Sequence, residues 1–244
     1  MKKKLGVLGG MGPMATSVFF ERVIKNTIAT CDQEHIDMVI LNHTELPDRT
    51  LCIQRGDVEP FLQKAKKAFE IFESLGISHI AIPCNTAYYF YEDFKKMTDI
   101  PIINMVDKTV ETLNLKIPPR SRIGVLATNG TIDHQIYKES IEKRKHMYMV
   151  PEEDVQKKVM STIYSIKASK VVDVQEIESV IEHMIEEKNC DKIILACTEL
   201  SLLDLRKDLK AYCIDAMDVL VRESIRLSDK QWQETFLETY TLPN

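Results

Sequence analysis

Short runs of isoleucine, valine and leucine alternate along the chain with longer segments whose apolar residues recur every three or four positions. The runs predict strands over Lys4–Leu8, Asp37–Leu41, His79–Pro83, Ile102–Met105, Arg122–Ala127, Met147–Val150, Lys192–Ala196 and Cys213–Asp215. The helical spacing predicts helices over Thr16–Thr30, Glu59–Leu75, Ala87–Met97, Asp107–Leu113, Asp133–Lys143, Glu153–Ile166, Val174–Glu187, Ser201–Asp208 and Met217–Leu227. Strand followed by helix, repeated, is the pattern of parallel sheets, because each parallel crossover must carry the chain back to the starting edge. The expected class is α/β.

The pattern also occurs twice. "LGVLGGMG" (5–12) resembles "IGVLATNG" (123–130), "ISHIAIPCNT" (77–86) resembles "CDKIILACTE" (190–199), and "IINMVD" (102–107) resembles "CIDAMD" (213–218). All three pairs run in the same order at nearly constant offset, which implies two pseudo-symmetric lobes, each a mainly parallel sheet flanked by helices. Residues 1–99 are expected to form the first lobe, completed by 213–244, and residues 100–212 the second, with the active site in the cleft between them. Pro118 and Pro119 stand just ahead of the second copy, where the chain must turn.

Composition narrows the functional classes. The 244 residues are 44% hydrophobic, enough for a sizeable core. A formal net charge of −5, with Lys2–Lys4 as the densest basic run, argues against a nucleic-acid surface. The glycines and Pro13 interrupt the apolar stretch after those lysines, and no later run approaches a membrane span, so the expected location is cytoplasmic. The segment 230–244, which carries Trp232, belongs to no motif.

In "GGMGPMAT" (9–16), Gly10, Gly12 and Ala15 fit G-x-G-x-x-A, but a dinucleotide site also wants a carboxylate at the end of the next strand. That strand ends in Leu41-Asn42-His43, with Glu45 further on. What survives is a tight turn with exposed amides, Pro13 opening a helix and Thr16 as a hydroxyl donor or cap. The six cysteines (Cys31, Cys52, Cys84, Cys190, Cys197 and Cys213) lie far apart, with no zinc spacing, and most are expected to be free thiols.

Cys84 and Cys197 differ from the rest because type, position and duplication agree: each ends an apolar run and precedes a predicted helix. The positive end of a helix lowers a thiol's pKa, so both are expected to be enriched in thiolate. A cysteine hydrolase would need a histidine to orient the thiol, and none of the six histidines sits in such a motif. Two matched thiols instead suit inversion at a carbon centre. One thiolate removes a proton from one face, one thiol delivers a proton to the other, and the roles exchange in reverse.

The motifs "GGMGPMAT" (9–16), "LPDR" (46–49), "PCNTA" (83–87), "GVLATNGT" (124–131), "IYSIKAS" (163–169) and "ACTEL" (196–200) together resemble the aspartate/glutamate racemase family, and its aspartate racemase branch in particular. The resemblance implies a racemase that interconverts L- and D-aspartate with no cofactor and no metal, and a homodimer whose partner molecule is a small amino acid. It implies Cys84 and Cys197 as the paired acid and base. Asn85, Thr86, Thr128, Thr131 and Thr198, with the backbone at Met11 and Gly12, would hold the amino and α-carboxylate groups; Arg49 and Lys167 would contact substrate carboxylates. Tyr88 stands where many relatives have histidine, and Ser169 where the lysine segment has glycine. Glu199, expected among the substrate-binding residues, follows the aspartate-type pattern, whereas glutamate racemases usually place histidine there.

Burying an acidic amino acid beside a thiolate requires compensating cations, which Arg49 and Lys167 would supply. The competing readings are a glutamate or broad-specificity amino-acid racemase and a non-catalytic amino-acid-binding protein on the same scaffold. Related hydantoin racemases, maleate isomerases and arylmalonate decarboxylases share the fold, but those with a single working cysteine fit the intact pair poorly.

Overall fold

The computed structural model describes residues 3–233. Its seven strands are β1 (Leu5–Gly9), β2 (Met38–Asn42), β3 (His79–Ala81), β4 (Arg122–Leu126), β5 (Met147–Met149), β6 (Lys192–Leu195) and β7 (Cys213–Asp215). They form two sheets, β2-β1-β3 and β5-β4-β6-β7, in which every strand pairing is parallel. The central strands β1 and β6 are buried along their whole length, as expected of a sheet covered on both faces.

The helices are α1 (Pro13–Asn26), α2 (Arg49–Arg55), α3 (Glu59–Ser74), α4 (Tyr91–Met97), α5 (Met105–Asn114), α6 (Asn129–Asp133), α7 (Lys138–Lys143), α8 (Glu153–Lys167), α9 (Val174–Glu186), α10 (Lys207–Lys210) and α11 (Ala216–Leu227). In α3, Phe61, Ala65, Ala68, Phe69 and Phe72 make one buried stripe at helical spacing, with charged residues opposite. Caps fix several starts: Asp48 accepts from Leu51 N at 3.0 Å, Asn104 from Asp107 N at 3.0 Å and Asp215 from Met217 N at 2.9 Å. None of the described helices is long and apolar enough to cross a membrane.

Several elements differ from the sequence expectation. Asp133–Lys143, expected as one helix, is covered by α6 and α7 with a turn between them, and the first part of Ala87–Met97 is a 3-10 helix ahead of α4. The run Ile102–Met105 contributes one bridge, Ile80 to Ile102, and then Asn104 caps α5, so the apolar run ends in a helix start. The segment Ser201–Asp208 contains only a 3-10 turn at Leu200–Leu202 and the four-residue α10, with Leu203 extended between them. Arg49–Arg55, which carried no helical expectation, is the helix α2, capped by Asp48 and closed by Gly56 in the left-handed region.

One core extends from β1 through α11, and a second, smaller cluster packs under α8, α9 and β6. Strand β7 completes the second sheet, whereas α11 packs on α1 and α5. The described part of the C-terminal segment returns to the end of α1: Ile28 N donates to Gln231 O at 2.8 Å and Gln233 N to Asn26 O at 3.0 Å. Residues 234–244 lie outside the described chain. At the mouth of β1, Gly10 has φ +88°, and a Cβ there would stand 2.4 Å from the His43 backbone, so this turn requires glycine.

Candidate active site

The carboxyl ends of β1, β3, β4 and β6 converge on one small cavity. Met11 follows β1; Cys84, Asn85 and Thr86 follow β3; Thr128 follows β4; and Cys197, Thr198 and Glu199 follow β6. Asp48, Arg49 and Thr50 at the start of α2, and Tyr164 and Lys167 near the end of α8, close the walls. Ligand sites of parallel sheets lie at these strand ends, because loops there leave backbone donors unspent.

Two links tie the strand-end turns together at the cavity. The Thr198 hydroxyl donates to Pro83 O at 3.2 Å, joining the residue after one cysteine to the residue before the other. Thr86 Oγ1 lies 2.9 Å from Thr128 Oγ1 and 3.0 Å from Thr131 Oγ1, a hydroxyl cluster across the same seam. Both sulfurs line the same cavity, and each cysteine is 6% exposed. No histidine lines it.

Two buried donors at the cavity have no hydrogen-bond partner among the described residues. The Tyr137 hydroxyl donates to Asn85 Oδ1 at 2.5 Å, which fixes the amide so that Nδ2 is left buried and without a partner. Burial drives the Tyr137 phenol far above its ordinary range, so it remains a donor at any working pH. Arg49 is 6% exposed and is held by carbonyls: Nη1 donates to Pro47 O at 2.9 Å and Nη2 to Met11 O at 3.3 Å, while Nε is unpartnered. Among the described residues no carboxylate pairs with this guanidinium within salt-bridge distance. A buried cation in that state is suited to receive an anion.

Lys167 is paired already. Its Nζ lies 3.1 Å from Glu199 Oε1, and Glu199, 3% exposed, accepts from Cys197 Sγ through Oε2 at 3.0 Å. A Cβ at Gly12 would meet Glu199 Oε1 at 3.1 Å, so glycine leaves the carboxylate its seat. Burial works to depress the Lys167 ammonium, but the group is held above its ordinary value, with Glu199 the main opposing influence. Burial pushes the Cys197 thiol well above the usual thiol range, and the Glu199 charge adds to this while Lys167 opposes it. The expected helix-end activation therefore fails at Cys197, which is followed by a short 3-10 turn and faces a carboxylate.

Most of the residues singled out from the sequence line this cavity: Met11, Arg49, Asn85, Thr86, Thr128, Lys167, Thr198 and Glu199, with both cysteines. Gly12 lies in the adjoining outer pocket, and Thr131 is fully buried behind Thr86. Tyr88 supports the Cys84 turn from below, its hydroxyl donating to Ile103 O at 2.7 Å. Asp48, Thr50, Tyr164 and Tyr137 were not anticipated. Tyr164, about one helical turn before Lys167, was legible from spacing.

The space left inside is about 10 Å³, roughly one water molecule. Beyond it lies an open vestibule of about 490 Å³, walled partly by Pro13, Met14, Leu46, Ile166 and Leu202. Asp48, Arg49, Lys167 and Glu199 line both spaces, where the two adjoin. An amino acid is larger than the space of about 10 Å³ beside the sulfurs, so that space must widen to hold one.

Residues 8–224 match the family model described as Asp/Glu/Hydantoin racemase. Among solved structures, the aspartate racemase of Picrophilus torridus superimposes with a TM-score of 0.82, at 28% identity, covering 98% of this chain and 100% of that one. A broad-specificity amino-acid racemase of Bacillus subtilis is 28% identical over 81% of this chain and 86% of its own length. A glutamate racemase of Persephonella marina is 32% identical over 53% of this chain and 49% of its own. The chain belongs to the Asp/Glu/hydantoin racemase family.

Proposed function

We propose that the protein interconverts L- and D-aspartate by a two-base reaction without a cofactor. The observation that carries this reading is one small cavity lined by both strand-end cysteines, with the Thr198–Pro83 hydrogen bond holding their turns together. One thiolate removes the α-proton: the Cα–H bond breaks, an S–H bond forms, and the electron pair delocalises into the α-carboxylate. The opposite thiol then gives its proton to the other face of the carbon and becomes the thiolate. The unpartnered Asn85 Nδ2 and the threonine hydroxyls suit the α-carboxylate and amino group, and Arg49 suits the side-chain carboxylate through a charge-assisted pair.

Purified protein, aspartate and no added pyridoxal phosphate, followed by chiral chromatography, tests the activity. In deuterium oxide, deuterium should enter the α position of the product. Cys84→Ser and Cys197→Ser should each lower turnover by about 10²–10⁴-fold, the usual contribution of a positioned acid or base. Normal racemisation by either serine variant would sink the two-base reading.

A broad-specificity racemase is the second reading. The apolar part of the vestibule wall favours it, as does the similarity to the Bacillus subtilis enzyme. A panel of amino acids at low concentration separates the two, since an aspartate enzyme should turn over neutral side chains far more slowly.

A further inference from the structure

The two thiols differ in what faces them. Glu199 on its own turn, Lys167 and Tyr164 from α8, Asp48 and Arg49 from the start of α2, Cys84 from the β3 turn and Tyr137 between α6 and α7 surround Cys197. Of these, the Glu199 carboxylate makes the direct contact, at 3.0 Å, and its other oxygen is 3.1 Å from Lys167 Nζ. An ionised carboxylate only accepts hydrogen bonds, so a sulfur held against it must bring the proton. The Lys167 ammonium faces that carboxylate from the other side, so the buried carboxylate has a cation on one oxygen and the sulfur on the other. Among the described residues, no side chain hydrogen-bonds to the sulfur of Cys84.

Resting on the two-thiol reading, we propose that Glu199 sets the resting proton distribution of the pair: Cys197 holds the proton and Cys84 is the base that acts first. Glu199 is then a positioning residue that makes the two free forms of the enzyme unequal. A turnover begun by Cys84 moves the α-proton to its sulfur and the Cys197 proton to the opposite face of the carbon. It leaves a Cys197 thiolate against the Glu199 carboxylate, two like charges at hydrogen-bond distance. Before the same enantiomer is accepted again, a proton must return to Cys197. One enantiomer therefore meets the enzyme in its major form and the other in its minor form. Because enantiomers are equal in free energy, kcat/KM must be the same in both directions, and the inequality appears in kcat and KM separately.

The test needs no turnover. The full-length protein without substrate is treated with iodoacetamide across a pH series, and modification of each cysteine is followed by peptide mass spectrometry. Both thiols share one cavity and equal exposure, so access alone does not order them. The expected result is a Cys84 midpoint below the Cys197 midpoint in the parent. Glu199→Gln should lower the Cys197 midpoint by about one to three pH units, the range a neighbouring unit charge exerts between solvent-like and protein-like screening. Glu199→Asp, which keeps the charge, should retain most of the separation. If Cys197 reacts at lower pH than Cys84 in the parent, or its midpoint does not fall in Glu199→Gln, the proposal is overturned. The parent ordering decides even if the glutamine variant fails to fold. If racemisation is absent while the thiol ordering holds, it is the function reading that has failed. Where racemisation is present, the ratio of kcat values for the two enantiomers should move toward one in Glu199→Gln.

Discussion

Replacing Arg49 with alanine separates recognition of the side-chain carboxylate from everything else the cavity does. The guanidinium is desolvated, held by the carbonyls of Pro47 and Met11, and has a buried Nε without a partner. For stability, two effects oppose each other: removing an uncompensated buried cation relieves a cost of several kcal/mol, while two charge-assisted hydrogen bonds worth about 1.5–3 kcal/mol each are lost. They are of similar size, so Arg49→Ala should fold, with a melting temperature within a few degrees of the parent. For aspartate binding no such cancellation exists. Losing one partner of a buried, hydrogen-bonded charge pair costs about 2–5 kcal/mol, or about 30- to 5,000-fold in kcat/KM. The assay measures racemisation of aspartate and of alanine by chiral chromatography, below KM. Aspartate should lose about 10²–10³-fold and alanine less than about tenfold, because alanine has no side-chain carboxylate. Equal losses on both would mean that Arg49 grips the α-carboxylate; unchanged aspartate turnover at low concentration would refute any role in binding.

Tyr137→Phe should leave Asn85 Oδ1 buried and unpaired, costing about 1–3 kcal/mol by urea unfolding and raising KM as the amide is freed to turn. Arg22 in α1 holds Asp215 at 2.7 Å, Asp218 at 2.5 Å and the carbonyl of Ser201, bracing the turn that follows Glu199. Arg22→Met should therefore destabilise the protein by about 2–4 kcal/mol in the same measurement, since it strands the buried Asp215 carboxylate. Burial lowers the pKa of His79 and of His146 below the usual value near 6.5. The unfolded chain then takes up more protons as pH falls through 6.5, so stability is full above that pH and declines below it, by at most about 1.4 kcal/mol per pH unit per histidine. Urea titrations at pH 7.5 and 5.5 check this, and His79→Gln should flatten the difference.

Periodicity located the strands and long helices because burial of an apolar face is what selects them, and β1, α3 and α9 carry that face in nearly every turn or pleat. It misread places where a single polar residue outweighs an apolar run. Asn104 ends the run at Ile102 and starts α5, and Asp48 starts α2 in a stretch that carried no helical expectation. Both caps could have been read from the residue types alone. The cysteine pair was legible through duplication, and Arg49 and Lys167 through motif resemblance. What no linear reading supplied was Glu199 between Lys167 and Cys197, because a contact that joins α8 to the end of β6 exists only after the second lobe has folded.

That three-membered contact also bears on how so small a cavity admits a substrate. The residues shared by vestibule and cavity include Arg49, which has no ionic partner among the described residues, and Lys167, which has Glu199. An incoming carboxylate can occupy Arg49 at no cost in existing ion pairs. Reaching Lys167 requires displacing Glu199, and the displaced carboxylate must find solvent in the vestibule it already borders. An amino acid with two carboxylates can satisfy both cations and so compensate for the broken Lys167–Glu199 pair. One with a single carboxylate engages one cation, leaving either Arg49 unpaired or Glu199 displaced without replacement. On the proposed aspartate reading, charge balance at these residues would favour acidic substrates before any contact is made with the sulfurs.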